Sequence, residues 1–168
     1  MKDAGNSPLE QVRAASARLS ASAEAAIASM SGHDLASVVY NFSPESSQSF
    51  SLISGVWVES FPGIRLNLVD DEKHCGGCPA AKRCETTSRV LMETKGRVEI
   101  PAHYHDFHET IHVIHGSIQD LLKPDDHPLR RGSDVIYFPA GQMHQPVFEG
   151  LFLVCWSPPL LRVPLKSL

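Results

Sequence analysis

Between His103 and Gly116 the chain reads HYHDFHETIHVIHG, which places His103, His105, Glu109 and Gly116 in the pattern His-x-His-x3-Glu-x6-Gly. A second group, PAGQMH, gives Pro139-x-Gly141-x2-His144. Residues two apart on a strand face the same side, so His103 and His105 can aim two imidazoles at one point. Asp106 and Phe107 could let the chain turn and return the Glu109 carboxylate to that point. Pro139-x-Gly141 would form a tight turn that presents His144. Three neutral imidazoles and one carboxylate suit a divalent transition metal such as iron, manganese, nickel, copper or zinc. The plainer alternative is that these histidines pack or hydrogen-bond within strands and hold nothing.

Together the two stretches resemble the paired motifs of the cupin superfamily, small double-stranded β-helix barrels. The resemblance covers about Gly96 to Trp156. It implies an all-β jelly-roll barrel with His103, His105, Glu109 and His144 as metal ligands in its mouth. Three details depart from the usual pattern. Six residues, where the motif usually has five, separate Gly96 from His103, and six also separate Gly132 from Pro139. Phe148 stands where the family often carries Asn. HYHDFH also looks like the His-x-His-x-Asp-His run of metallo-β-lactamases. There Asp106 falls one place early and the chain is short for the fold, so that likeness is rejected.

A second cluster lies at KHCGGCPAAKRCE, where Cys75, Cys78 and Cys84 form Cys-x2-Cys-x5-Cys. Gly76 and Gly77 allow a tight loop that turns two thiolates toward one ion, and Lys82 and Arg83 favour the thiolate form. A closed zinc site needs a fourth ligand, for which His74, Asp70, Asp71 and Cys155 are candidates. An iron–sulfur cluster would need one too. A redox-active thiol cluster and unliganded loop cysteines are the other readings. Cys155, within LFLVCW, reads as an inert buried thiol.

Residues 8–31 read as an Ala-rich helix capped by Ser7, started by Pro8 and ended by Gly32. Its narrow stripe of Leu9, Val12, Leu19, Ala23, Ile27 and Met30 suits packing on its own barrel or a dimer contact. SVVYNF reads as a strand and SPESSQS as a polar loop. SFSLISGVWVESF and GIRLNLVD then read as two strands around Phe61-Pro62-Gly63, with Trp57 and Phe61 in the core. TSRVLMET and RVEI are strands. Ile111 and Val113 share the parity of Glu109 and should line the barrel, whereas His108 and His112 have the opposite parity. His115 is placed at a strand end, SIQDLL forms the next strand, and KPDDHPLRRG is a polar turn containing His127. SDVIYFP and LFLVCWS are strands, and after Pro158 and Pro159 the segment LLRVPLKSL trails as an extended tail. The expected organisation is a helical extension over 1–36 and a barrel over 37–168, with the cysteine loop at 70–86.

The chain has 168 residues, 42% apolar and 20% charged, with a net charge of −4. These values fit one soluble globular domain. The charge balance makes nucleic acid a poor partner, and no apolar run is long enough to span a membrane. The polar start MKDAGNSPLEQ argues against a secretory signal, and four cysteines without such a signal suggest a reducing, cytoplasmic setting. A cupin barrel does not fix a reaction. The resemblance implies a metal-dependent enzyme of the iron oxygenase type acting on a small molecule. The alternative is a non-catalytic sensor of metal, redox state or a small ligand, and in both cases a homodimer is the expected assembly.

Overall fold

The structure is a computed structural model that describes residues 34–72 and 86–164. The expected helix over 8–31 and the loop carrying Cys75, Cys78 and Cys84 lie outside the described residues. Eleven strands make up the rest: β1 (Asp34–Ser43), β2 (Ser46–Ile53), β3 (Trp57–Phe61), β4 (Ile64–Glu72), β5 (Thr87–Thr94), β6 (Val98–Glu99), β7 (His108–Asp120), β8 (Arg130–Arg131), β9 (Val135–Phe138), β10 (Pro146–Ser157) and β11 (Arg162–Pro164). They pair antiparallel in two sheets, one ordered β11-β1-β2 and the other β3-β4-β5-β10-β7-β8, with β6 on β10 and β9 on β7. Alternation along the strands fills the space between the sheets. Ala36, Val38, Leu66, Leu68, Val90, Met92, Ile111, Val113, Phe152, Val154 and Trp156 are all buried in one core.

Several boundaries differ from the expectation. SFSLISGVWVESF is two strands, because Gly55 (φ 76°) breaks the run and sends β2 to one sheet and β3 to the other. SPESSQS is mostly strand, since Ser46 already pairs with Ser43 after a two-residue turn. Trp57 is 39% exposed rather than in the core, with the Arg65 guanidinium 4.7 Å from its ring, while Phe61 is buried. The tail after Pro159 is not unpaired, because Arg162–Pro164 hydrogen-bond along β1.

The central departure is β7. His115 does not end a strand. The segment runs unbroken through Gly116 to Asp120, and β10 pairs with it from Pro146 to Ser157 with one register shift at Leu151/Phe152. The two strands cross at Gly116 and Gly150, which face each other. A Cβ on Gly116 would lie 1.8 Å from the Glu149 carbonyl oxygen, and one on Gly150 would lie 2.0 Å from that of His115. Both glycines also have positive φ, 92° and 126°. Only a residue without a Cβ allows this approach.

Candidate metal centre

The segment between β6 and β7 carries His103 and His105, and the turn between β9 and β10 carries His144. None of the three histidines sits in a regular strand. Instead, His103 and His144 form an isolated antiparallel bridge, closed by His103 N to His144 O and His144 N to His103 O, both 2.9 Å. Gly141 (φ 77°) bends the Pro139–Gln142 turn, and its N–H donates to the His105 carbonyl at 2.8 Å. The chain bends at Asp106 and Phe107, as the sequence suggested, and β7 then brings Glu109 inward.

These contacts gather the side chains. The ligating atoms of His103, His105 and His144 all lie within 4.8 Å of one another, a spacing that could hold a metal ion. Glu109 Oε1 stands 3.6 Å from His105 Nε2 and 3.9 Å from His144 Nε2. The four residues are nearly inaccessible, at 2%, 1%, 4% and 0% exposed for His103, His105, Glu109 and His144. Such burial of four ionisable groups is costly unless something pairs them.

Each imidazole is held the same way. Nδ1 of His103, His105 and His144 lies 2.8, 2.8 and 2.9 Å from the carbonyl oxygens of Pro101, Phe107 and Gln142. A carbonyl only accepts, so Nδ1 carries the proton and Nε2 presents a lone pair. Nε2 of His105 and of His144 is buried without a hydrogen-bond partner. Two buried acceptors left open toward a carboxylate fit a metal ion, which would take both. Each ring is also backed by an aromatic: Tyr40 on His103 at 4.6 Å, Phe107 on His105 at 4.1 Å and Phe138 on His144 at 4.2 Å.

Electrostatics support the same arrangement. Burial, reinforced by His144 and His105, lowers His103 to about 3. Burial also lowers His144, against the attraction of Glu109. For Glu109 burial opposes ionisation, but the neighbouring His105 and His144 and the Trp156 N–H outweigh it and hold the carboxyl at about 2. Trp156 Nε1 donates to Glu109 Oε2 at 2.5 Å, leaving Oε1 on the side of the histidines. The site thus keeps an anionic carboxylate and an imidazole lone pair at neutral pH, the protonation states metal ligation requires.

Tyr40, Phe138 and Trp156 are not singled out by the sequence motifs, and Phe107, expected only at the turn, also stacks on His105. Tyr40 shares the parity of Ala36 and Val38 on β1, and Trp156 that of Phe152 and Val154 on β10, so alternation alone would have turned both inward. Ile111 and Val113 are buried as expected. His108 faces the other way, where its Nδ1 meets the Tyr137 hydroxyl at 2.8 Å. Phe148, in the place of the family's Asn, is buried edge-on to Phe152 at 5.3 Å and gives the site no polar group. A pocket of about 680 Å³ is lined by Glu59, Arg65, Glu93 and Lys95 and by none of the three histidines.

No protein-family model matches the chain, and no curated protein matches its sequence. Among solved structures it is similar to KdgF from Halomonas sp., with 20% identity, TM-score 0.47, and coverage of 61% of this chain and 86% of that one. It is also similar to an RmlC-like cupin from Shewanella frigidimarina, at 14% identity and TM-score 0.44 over 57% and 77% of the two chains. A third is the Rhodobacter sphaeroides complex of SigE with the anti-sigma ChrR, at 22% identity and TM-score 0.40 over 60% of this chain and 45% of that one. At these levels the likenesses say nothing of activity. The chain's own strand order makes it an all-β fold of two antiparallel sheets, with the two motifs meeting at one buried cluster.

Proposed function

We propose that the protein is a metal-dependent enzyme of the iron oxygenase type acting on a small molecule. His103, His105, Glu109 and His144 would hold a divalent transition metal, which when bound would supply Lewis-acid and, for iron, redox chemistry. The observation that carries this reading is the pair of buried, unpartnered Nε2 atoms on His105 and His144 facing Glu109. The chain's own residues do the positioning. The carbonyls of Pro101, Phe107 and Gln142 fix the imidazole tautomers, and Trp156 orients Glu109. An aromatic ring stacked on each imidazole holds its orientation. Turnover of a panel of small substrates with iron(II) in air tests the proposal. Protein that carries stoichiometric iron but turns over none of them would favour the second reading.

That reading is a non-catalytic sensor, in which the barrel metal recognises a ligand and the cysteine loop responds to metal or redox state. The near-complete burial of all four ligand side chains favours it, because a sheltered ion exchanges substrate poorly. In either case Cys75, Cys78 and Cys84 are proposed to bind a second metal, zinc by preference. Of the candidates for its fourth ligand, Asp70 already takes two hydrogen bonds from Arg89, which lower its carboxyl. Asp71 accepts from Ser88 and lies 3.1 Å from Arg162. Those engagements count against both carboxylates. Alkylation before and after chelation tests the loop: ligation predicts slow labelling that speeds up at all three cysteines once metal is stripped. A homodimer in the cytoplasm is the proposed state. Among the described residues no helix is long and apolar enough to cross a membrane.

A further inference from the structure

We propose that Tyr40 recognises the ligand of the metal centre, donating its phenolic hydrogen bond to an oxygen of a small monoanion, a carboxylate or an enolate. This inference rests on the reading of the histidine cluster as a metal site.

Placement comes first. Tyr40 follows Ala36 and Val38 on the inward face of β1, and unlike those two it is only partly buried. Its ring lies 4.6 Å from that of His103 at 28° and meets Phe50 edge-on at 5.1 Å. The backbone locks this neighbourhood. Asn41 N donates to Tyr104 O at 2.7 Å, and Tyr104 N donates to Asn41 O at 2.8 Å. Tyr40 and His103 are the residues immediately before these two, so one bridge fixes both rings together. Among the described residues no group hydrogen-bonds the Tyr40 hydroxyl, whereas the Tyr137 hydroxyl is engaged by His108 on the outer side of the sheet.

Chemistry selects the ligand. A divalent ion held by Glu109 and three imidazoles leaves the centre with one net positive charge. In a buried, low-dielectric setting a monoanion neutralises it better than a neutral molecule or a dianion. Such a ligand keeps a second oxygen lone pair after binding, and a phenol donates to it without adding charge. A phenol ordinarily titrates at about 10, so the Tyr40 hydroxyl is a donor throughout the neutral range. Phe42, whose ring is 6.3 Å from His103, continues the aromatic wall and suits a flat organic body.

The experiment uses the full chain with Cys75, Cys78 and Cys84 replaced by Ser, so that only the barrel binds, loaded with cobalt(II), whose visible spectrum reports its ligands, and titrated with pyruvate. Tyr40→Phe keeps the ring and removes only the hydroxyl. Expected are unchanged cobalt(II) content and affinity, and pyruvate binding weakened about tenfold or more, as for loss of a hydrogen bond to a charged group. Equal pyruvate affinity in the two proteins would overturn the role of Tyr40. Failure of pyruvate to perturb the spectrum of the cobalt-loaded parent protein would overturn the monoanion assignment. If His103→Ala/His105→Ala binds cobalt(II) as the parent does, the metal-site reading itself is at fault.

Discussion

His103 and His144 come from segments 41 positions apart, yet their backbones exchange two hydrogen bonds of 2.9 Å each and their rings meet edge-on at 4.4 Å. The two halves of the centre are therefore joined through the main chain, and the position of each imidazole depends on the turn that carries the other.

Trp156→Phe should leave the barrel folded and weaken the metal. The substitution keeps an aromatic ring in the core but removes the donor to Glu109 Oε2, freeing the carboxylate to rotate. Loss of such a supporting hydrogen bond costs about 10- to 100-fold in metal affinity. Competition with a chelator of known affinity measures it, and an unchanged constant would show that the tryptophan merely packs.

Gly116→Ala should be severely destabilising although the residue bears no side chain of its own. A methyl group there collides with the Glu149 carbonyl and must adopt a φ of 92°. A cost of about 3 kcal/mol or more is expected, enough to lower the melting temperature by roughly 10 °C. Calorimetry checks it; a shift of only a degree or two would mean that β7 and β10 separate easily.

Acid should destabilise chelator-treated protein in a defined window. His103 sits at about 3 in the fold and near 6.5 unfolded, so between those values only the unfolded chain takes up its proton. Its contribution is intact above about pH 6.5 and declines as pH falls, by about 1.4 kcal/mol per unit. His144 is lowered as well and acts in the same direction. Glu109, held at about 2, adds its own loss below the ordinary carboxylate range. Urea unfolding at pH 6.5 and pH 5 should differ by about 2 kcal/mol or more, and equal stabilities would mean that the folded imidazoles protonate freely.

The spacing of the candidate site was legible because it is local: His103, His105 and Glu109 are separated by one and three residues. The inward placement of Ile111 and Val113 on β7 was legible for the same reason. What alternation could not give was where strands change sheet. Gly55 splits an apolar run that looks continuous, and Gly116 joins two that look separate. Each outcome depends on the partner strand, since the Gly116 crossing requires Gly150 opposite. Tyr40 and Trp156 were missed because their roles arise from contacts across 63 and 47 positions, to His103 and Glu109. Trp57 was placed inside on its chemistry, yet β3 turns it outward under Arg65.

The most direct test of the account is the metal content of the barrel. Elemental analysis of freshly purified protein, with the three loop cysteines replaced by Ser so that only the barrel is counted, should give about one transition-metal ion per chain. His103→Ala/His105→Ala in the same background should give none while keeping its β-sheet circular dichroism, since the apolar strands supply most of the stability. A double variant that retains the full metal content would contradict the assignment of these residues as ligands.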